Sequence, residues 1–151
     1  METHPTSNAE EFEASKPKSF TRHLPTAARL LMGLMFLVFG LNGFLHFIPE
    51  PKNAMPEEAA AFAGAMAKTG YMFPMVMGTQ LLVGVLLLLN RFVPLALALI
   101  MPVIVNIIAF HVFLAPSGIA PGAVILLLEI YLAWAYRKQY RSMLTMRTTP
   151  D

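Results

Sequence analysis

Six polar side chains stand inside long apolar runs of the sequence: Asn42, His46, Gln80, Asn106, His111 and Glu129. A bilayer penalises every one of them, by about 2.5–3.5 kcal/mol for an acid at a helix centre, so such residues mark either ligand chemistry or hydrogen bonds between helices. Glu129 carries the widest chemistry, as a proton acceptor or as an acceptor for the polar head of a ligand. The plainer role is a side chain bonded to Gln80 that holds helices together, but Asn or Gln would do that at lower cost. His46 and His111 fall at one depth on the first and third apolar runs, as two axial haem ligands would. Against haem stand the nearness of that depth to the wet boundary and the lack of a second pair. The reading adopted is of imidazoles that bond backbone carbonyls or lipid headgroups. Asn42, Gln80 and Asn106 act as hydrogen-bonding groups in either case, worth about 0.6 kcal/mol each as glue between helices.

The expected ligand-binding set is therefore Asn42, His46, Gln80, Asn106 and Glu129, with no residue assigned a catalytic role and no metal site. No phosphate-binding loop, dinucleotide fingerprint, catalytic triad or zinc-protease motif occurs in the chain. With Cys 0, disulfides, thiolate metal sites, iron–sulfur ligation and thiol relays are excluded, so any redox role needs a bound cofactor.

These residues need elements to carry them, and the composition says which. The 151 residues are 56% hydrophobic and 13% charged, with a mean hydropathy of +0.59, far more apolar than an average soluble domain. Of nine acids and eleven bases only Glu129 lies deep in an apolar run. The pI near 9.1 does not point to nucleic acid, because the bases flank apolar segments and form no stripe interleaved with aromatics. Met1 to Pro25 is polar and lacks the apolar core of a cleavable signal peptide. The first apolar helix is expected to act as an uncleaved anchor.

Four apolar segments follow, at about 30–48, 71–89, 92–114 and 119–136. Each is long enough, at about 1.5 Å per residue, to cross a hydrocarbon core of roughly 30 Å. Stretches such as Leu81 to Leu89 are apolar on all faces, which a soluble bundle would not tolerate. The connection from Pro49 to Gly70 carries its own helix signal: a proline and two acids at Pro56-Glu57-Glu58 and a glycine cap at Gly70. The expected fold is all-α: an integral membrane bundle of four transmembrane helices over residues 28–140, with a short interfacial helix between the first and second spans. Residues 1–27 and 141–151 are expected as cytoplasmic tails, the first disordered. Nine of the eleven bases gather at one end of the spans, with Lys52 and Lys68 at the other, which puts both termini in the cytoplasm.

Depths along the spans arrange the polar residues as a ladder. Gln80 and Glu129 fall within about 2 Å of the midplane, Asn42 and Asn106 about 5 Å outward, and His46 and His111 about 12 Å outward. Asn42 and His46, four apart, share one helix face, while Gly33 and Gly40 share another suited to close packing. Asn106 and His111, five apart, diverge by about 140°. The ladder predicts a pocket on the outer side, bounded by Asn42, His46, Gln80 and Asn106, with the short helix as a lid that turns Phe62 and Met66 inward. Pro94 and Pro102 are expected to kink the third span.

The stretches Gly40-Leu41-Asn42-Gly43-Phe44-Leu45-His46-Phe47, Gln80 to Leu88, Arg91-Phe92-Val93-Pro94-Leu95-Ala96-Leu97 and Asn106 to His111 together resemble the DoxX family of small bacterial membrane proteins, over about Arg29 to Tyr136. The resemblance implies four transmembrane helices in the bacterial cytoplasmic (inner) membrane. It also implies an association with quinone-linked oxidoreductase complexes, quinone being the candidate cofactor and other membrane subunits the candidate partners besides the lipid bilayer. Two departures stand out: Gln80 occupies a place where the family commonly has an acid, and Asn42 replaces the usual Lys after the first-helix glycine. An acid function lost at Gln80 would have moved to Glu129. Two rival functions stand beside a quinone- or apolar-ligand-binding subunit: a structural or assembly protein without a ligand, and a lipid-modifying enzyme using Glu129.

Overall fold

A computed structural model describes residues 20–49 and 55–140. Five α-helices make up nearly all of it: α1 (Phe20–Leu45), α2 (Glu57–Lys68), α3 (Met72–Leu88), α4 (Val93–Phe113) and α5 (Ile119–Ala135), with a 3-10 turn at Pro116–Gly118 before α5. No strand occurs among the described residues. Three helical segments are long and apolar enough to cross a membrane: His23–Leu45, Val93–Phe113 and Pro116–Ala135. A fourth span arises if α2 and α3, which meet at 91°, count as one broken crossing. By itself α3 has 17 residues, the lower limit for spanning.

The helices α1, α3, α4 and α5 form a ring in which each packs on the next and α5 closes on α1. Met32 and Phe36 of α1, Val83 and Leu87 of α3, Leu97, Ile100 and Ile104 of α4 and Leu132 of α5 are wholly buried at its centre. Leu31, Leu34, Leu82, Val105, Leu127 and Ile130 stand exposed on the outside. A continuous apolar surface of this kind suits lipid and not water.

The first helix differs from the expected span at both ends. It begins at Phe20, so residues 20–27, expected within a disordered tail, are helical. Hydropathy marks only the lipid-facing part of a helix, whereas the backbone ladder runs on wherever good helix formers such as Ala27, Ala28 and Arg29 follow one another. The rest of the expected tail, residues 1–19, lies outside the described residues, as does the second tail, 141–151. At its other end α1 stops at Leu45, three residues before the expected Ile48. His46 turns left-handed at φ 50°, its N–H donates to the Asn42 carbonyl at 2.8 Å, and the N–H of Ile48 donates to Asn42 Oδ1 at 2.7 Å. Asn42 thus closes the helix that carries it.

The closest approach is between α1 and α3. A Cβ on Gly84 would stand 2.6 Å from the Leu37 backbone nitrogen, and one on Gly40 would stand 2.8 Å from that of Leu81. Only glycine permits backbones so near. At the end of this pair Arg29, buried in α1, donates from Nη1 to the Leu87 carbonyl and, at 3.4 Å, to that of Leu88. A cation there adds a donor to the Leu87 carbonyl, which also accepts from the Asn90 N–H at 3.2 Å, and complements the helix dipole.

Short connections set the remaining directions. Thr69 links α2 to α3, donating from Oγ1 to the Met66 carbonyl at 2.7 Å and accepting from the Met72 N–H at 3.1 Å. Asn90 and Phe92 both take left-handed backbone, at φ 55° and 49°, which reverses the chain within the Asn90-Arg91 turn. Pro94 lies in the first turn of α4, where no N–H is required, so of the two prolines expected to kink this helix only Pro102 is interior.

Two outcomes follow for stability. Gly84→Val should lower thermal stability in mild detergent, by about 1–3 kcal/mol or more, since backbone must move to admit the side chain. Gly78→Ala, where an added Cβ meets nothing within 4 Å, should not. Arg29→Ala should cost about 1.5–3 kcal/mol, the range for hydrogen bonds to a charged group, with Arg29→Lys recovering part of it. An Arg29→Ala protein melting with the parent would show that the carbonyls of α3 need no such partner.

Candidate functional site

The last turn of α1, the first half of α3 and one face of α2 enclose a cavity of about 590 Å³. Its walls are largely apolar: Phe39 and Gly43 from α1, Ala63, Gly64 and Ala67 from α2, and Phe73 and Met77 from α3. Three polar side chains reach it, Asn42, His46 and Gln80. Gly43 leaves the room that Met77 fills, since a Cβ there would collide with the thioether. Gln80 is 6% exposed, and its Nε2 donates to the Met77 sulfur at 3.7 Å.

The cavity offers free amide N–H groups together with the Gln80 Oε1 acceptor. Asn42 Oδ1 is taken by the Ile48 N–H, which turns the Asn42 amide NH₂ into its free group. The Gln80 amide donates to a thioether, a weak acceptor that a carbonyl oxygen would outcompete. His46 adds an imidazole at the exposed edge. No acid lines the cavity. Such a lining accepts an apolar molecule that carries carbonyl or other acceptor groups.

Two of the five expected site residues lie elsewhere. Asn106 is exposed and forms no part of this cavity. The buried stripe of α4 is Val93, Ala96, Leu97, Ile100 and Ile104, and at 100° per residue Asn106 falls about 135° away from it. Its depth along the axis matched Asn42, but its azimuth does not. Glu129 is buried in α5, 4% exposed, and neither joins the cavity nor bonds Gln80, because α3 and α5 face each other across the ring and are not neighbours in it. It lines a separate groove of about 430 Å³ between α4 and α5, at the end that bears Arg91.

The expected lid is present in part. The face of α2 toward the cavity is Ala63, Gly64 and Ala67, not Phe62 and Met66. Phe62 packs on Phe110 of α4, ring centroids 5.9 Å apart, and so ties α2 across the end of the bundle. A Cβ added at Gly64 would meet nothing within 4 Å, so this face of α2 leaves the cavity roomy. His111 packs edge-on against Phe110 at 5.3 Å, with Nδ1 3.1 Å from the Ala115 carbonyl oxygen, the carbonyl-bonding role. Among the described residues no cluster of His, Cys, Asp or Glu could hold a metal ion.

Sequence reasoning missed Arg29, Tyr140 and Met77. Tyr140 donates to the Pro94 carbonyl at 3.1 Å, tying the chain after α5 to the start of α4. Burial, and then the Glu129 carboxylate, push the Tyr140 hydroxyl above its ordinary value of 10.0. A cation ahead of an apolar run was the one available signal for Arg29, and it reads equally well as a solvated flank. Nothing in the spacing distinguishes Met77 from the other methionines.

Comparison with known proteins gives one positive result. The family model described as DoxX matches residues 24–113, more than half of the chain and most of α1 through α4, including every residue of the α2-end cavity. No curated protein and no solved structure matches. Together with the apolar helices, the family match makes this a multi-pass membrane protein. The chain belongs to the DoxX family.

Proposed function

We propose that this protein is a four-span subunit of the bacterial cytoplasmic membrane, associated with redox complexes, that binds a quinone or a similar carbonyl-bearing apolar ligand in the cavity beneath α2. The observation that carries the proposal is the lining itself: amide donors from Asn42 and Gln80 and the His46 imidazole, set in apolar walls around about 590 Å³. That volume lies within the usual range of roughly 300–1,000 Å³ for small-molecule sites. A quinone offers two carbonyl acceptors on a flat apolar ring, which suits two amide donors. The protein itself transfers no electrons. It holds the ligand for a partner.

In this reading α3 is a full span and α2 lies in the interface with Glu57 and Glu58 at its start and Lys68 at its end. Both termini and Arg91 lie in the cytoplasm, so the cavity opens to the outer face. One observation favours the rival structural role: Asn42 and Gln80 already make local bonds, to Ile48 and Met77. A protein whose polar groups serve only helix ends and packing would bind nothing.

Two measurements test the proposal. Single cysteines at Ser7, Asn53, Ser117 and Thr148 of this cysteine-free chain should label from outside at Asn53 and Ser117 only. Labelling of Ser7 or Thr148 from outside would reverse the orientation. In lipid nanodiscs, a short-chain quinone should bind the protein saturably, and Gln80→Leu should weaken binding about tenfold, the loss of one hydrogen bond, with the fold intact by thermal melt. Absence of saturable binding to the parent protein would leave the structural role in its place.

A further inference from the structure

The groove between α4 and α5 differs from the cavity beneath α2 in its buried polar group, which is an acid. Its walls are Leu97, Ala98 and Met101 of α4 against Ile130 and Ala133 of α5. The two alanines, one on each helix, leave the gap that a larger side chain would close. Ala98, Met101 and Ile130 are exposed on the outer surface of the bundle, so the groove opens sideways, toward lipid, and not only at the helix ends.

At the bottom stands Glu129. It belongs to the inward stripe of α5, with Gly122, Ile125 and Leu132, and is 4% exposed. Its Oε2 is buried and has no hydrogen-bond partner among the described residues. Buried polar groups in membrane helices usually find a partner, and the two donor side chains that line this groove are held elsewhere: the Tyr140 hydroxyl by the Pro94 carbonyl and Arg137 by the Trp134 carbonyl. A carboxyl kept only to join helices would have one of these as its partner. The terminal torsion of a Glu is soft, so either oxygen can turn to the groove.

We infer that this groove is a second binding site, for an uncharged lipid bearing a hydroxyl, whose O–H donates to the Glu129 carboxyl while its chain lies along Leu97, Met101 and Ile130. Three observations choose this head group. The groove's unpartnered buried oxygen is Glu129 Oε2, and a hydroxyl, both donor and acceptor, satisfies a carboxyl in either protonation state. Arg137 lines the mouth, held by its bond to the Trp134 carbonyl at 2.9 Å and by the Trp134 ring, 4.4 Å from its guanidinium carbon; a cation is repelled there and an anion is stopped there. Glu129 lies two residues past the middle of Ile119–Ala135, about 3 Å along the axis, a depth that a charged phospholipid headgroup does not reach but the hydroxyl of a neutral lipid does. The site is separate from the quinone cavity and does not depend on that reading, since it shares no residue with it.

The test uses the full chain in nanodiscs and photoreactive probes sharing one diazirine-bearing acyl chain: a primary alcohol, its methyl ether, a diacylglycerol and a trimethylammonium. The alcohol or the diacylglycerol should label peptides from 93–113 and 119–135 about tenfold more than the ether, which keeps the chain but lacks the donor. Whichever of the two labels more strongly identifies the lipid source. Glu129→Leu should reduce alcohol labelling to the level of the ether, whereas Glu129→Gln, which keeps a carbonyl acceptor and guards against a simple folding defect, should retain most of it. Added quinone should not compete. Equal labelling by alcohol and ether, stronger labelling by the ammonium probe, labelling unchanged in Glu129→Leu, or displacement by quinone would each overturn the inference.

Discussion

The contact on which the rest of the structure depends is the close approach of α1 and α3 at Gly40 and Gly84. Each glycine lies against the partner's backbone, Gly84 at Leu37 and Gly40 at Leu81, so the two helices are locked in register and not merely side by side. Without water to drive apolar surfaces together, membrane helices hold by such close packing and by hydrogen bonds between them. Once that register is set, both ends of the pair are determined. At one end Arg29 comes level with the last carbonyls of α3, and at the other Gly43 comes level with Met77, which in turn holds Gln80.

Arg29 illustrates how burial and charge are reconciled. An unpaired buried cation would be prohibitive, but a helix terminus supplies carbonyls that need donors and a dipole that favours positive charge. The same logic applied to Glu129 gives the opposite result, because no helix N-terminus or donor side chain stands beside it in α5. Arg29 Nη1 is absorbed by the architecture, although its Nε, like Glu129 Oε2, has no partner among the described residues. Glu129 is left with capacity to spare.

The ring order of the helices divides the polar residues into two groups. Because α3 and α5 stand across the bundle, with Met32, Phe36, Ile100 and Ile104 in the core between them, Gln80 and Glu129 cannot share a ligand. The α2 end carries two amides and an imidazole, and the Arg91 end a buried carboxyl. Apolar packing between them keeps the two regions chemically independent.

Much of the fold was legible in the sequence. The lengths of the apolar runs follow from the thickness of a bilayer, the turns at Asn90-Arg91 and Pro116–Gly118 from local chain chemistry, and α2 from its proline, acids and closing glycine. The depth of each polar residue was legible too, since it depends only on rise per residue along one axis. Azimuth was not. Which face of a helix turns inward depends on which neighbours it packs against, and a helix apolar on all sides, such as α3 or α4, carries no stripe that would reveal it. For that reason Asn42 and Asn106, alike in type and depth, were indistinguishable in sequence, yet one lines a cavity and the other faces outward. Gln80 and Glu129 are likewise alike in depth, and sequence alone leaves a bond between them open. Only the packing of α1 on α3, and of α4 on α5, could decide that they belong to different sites.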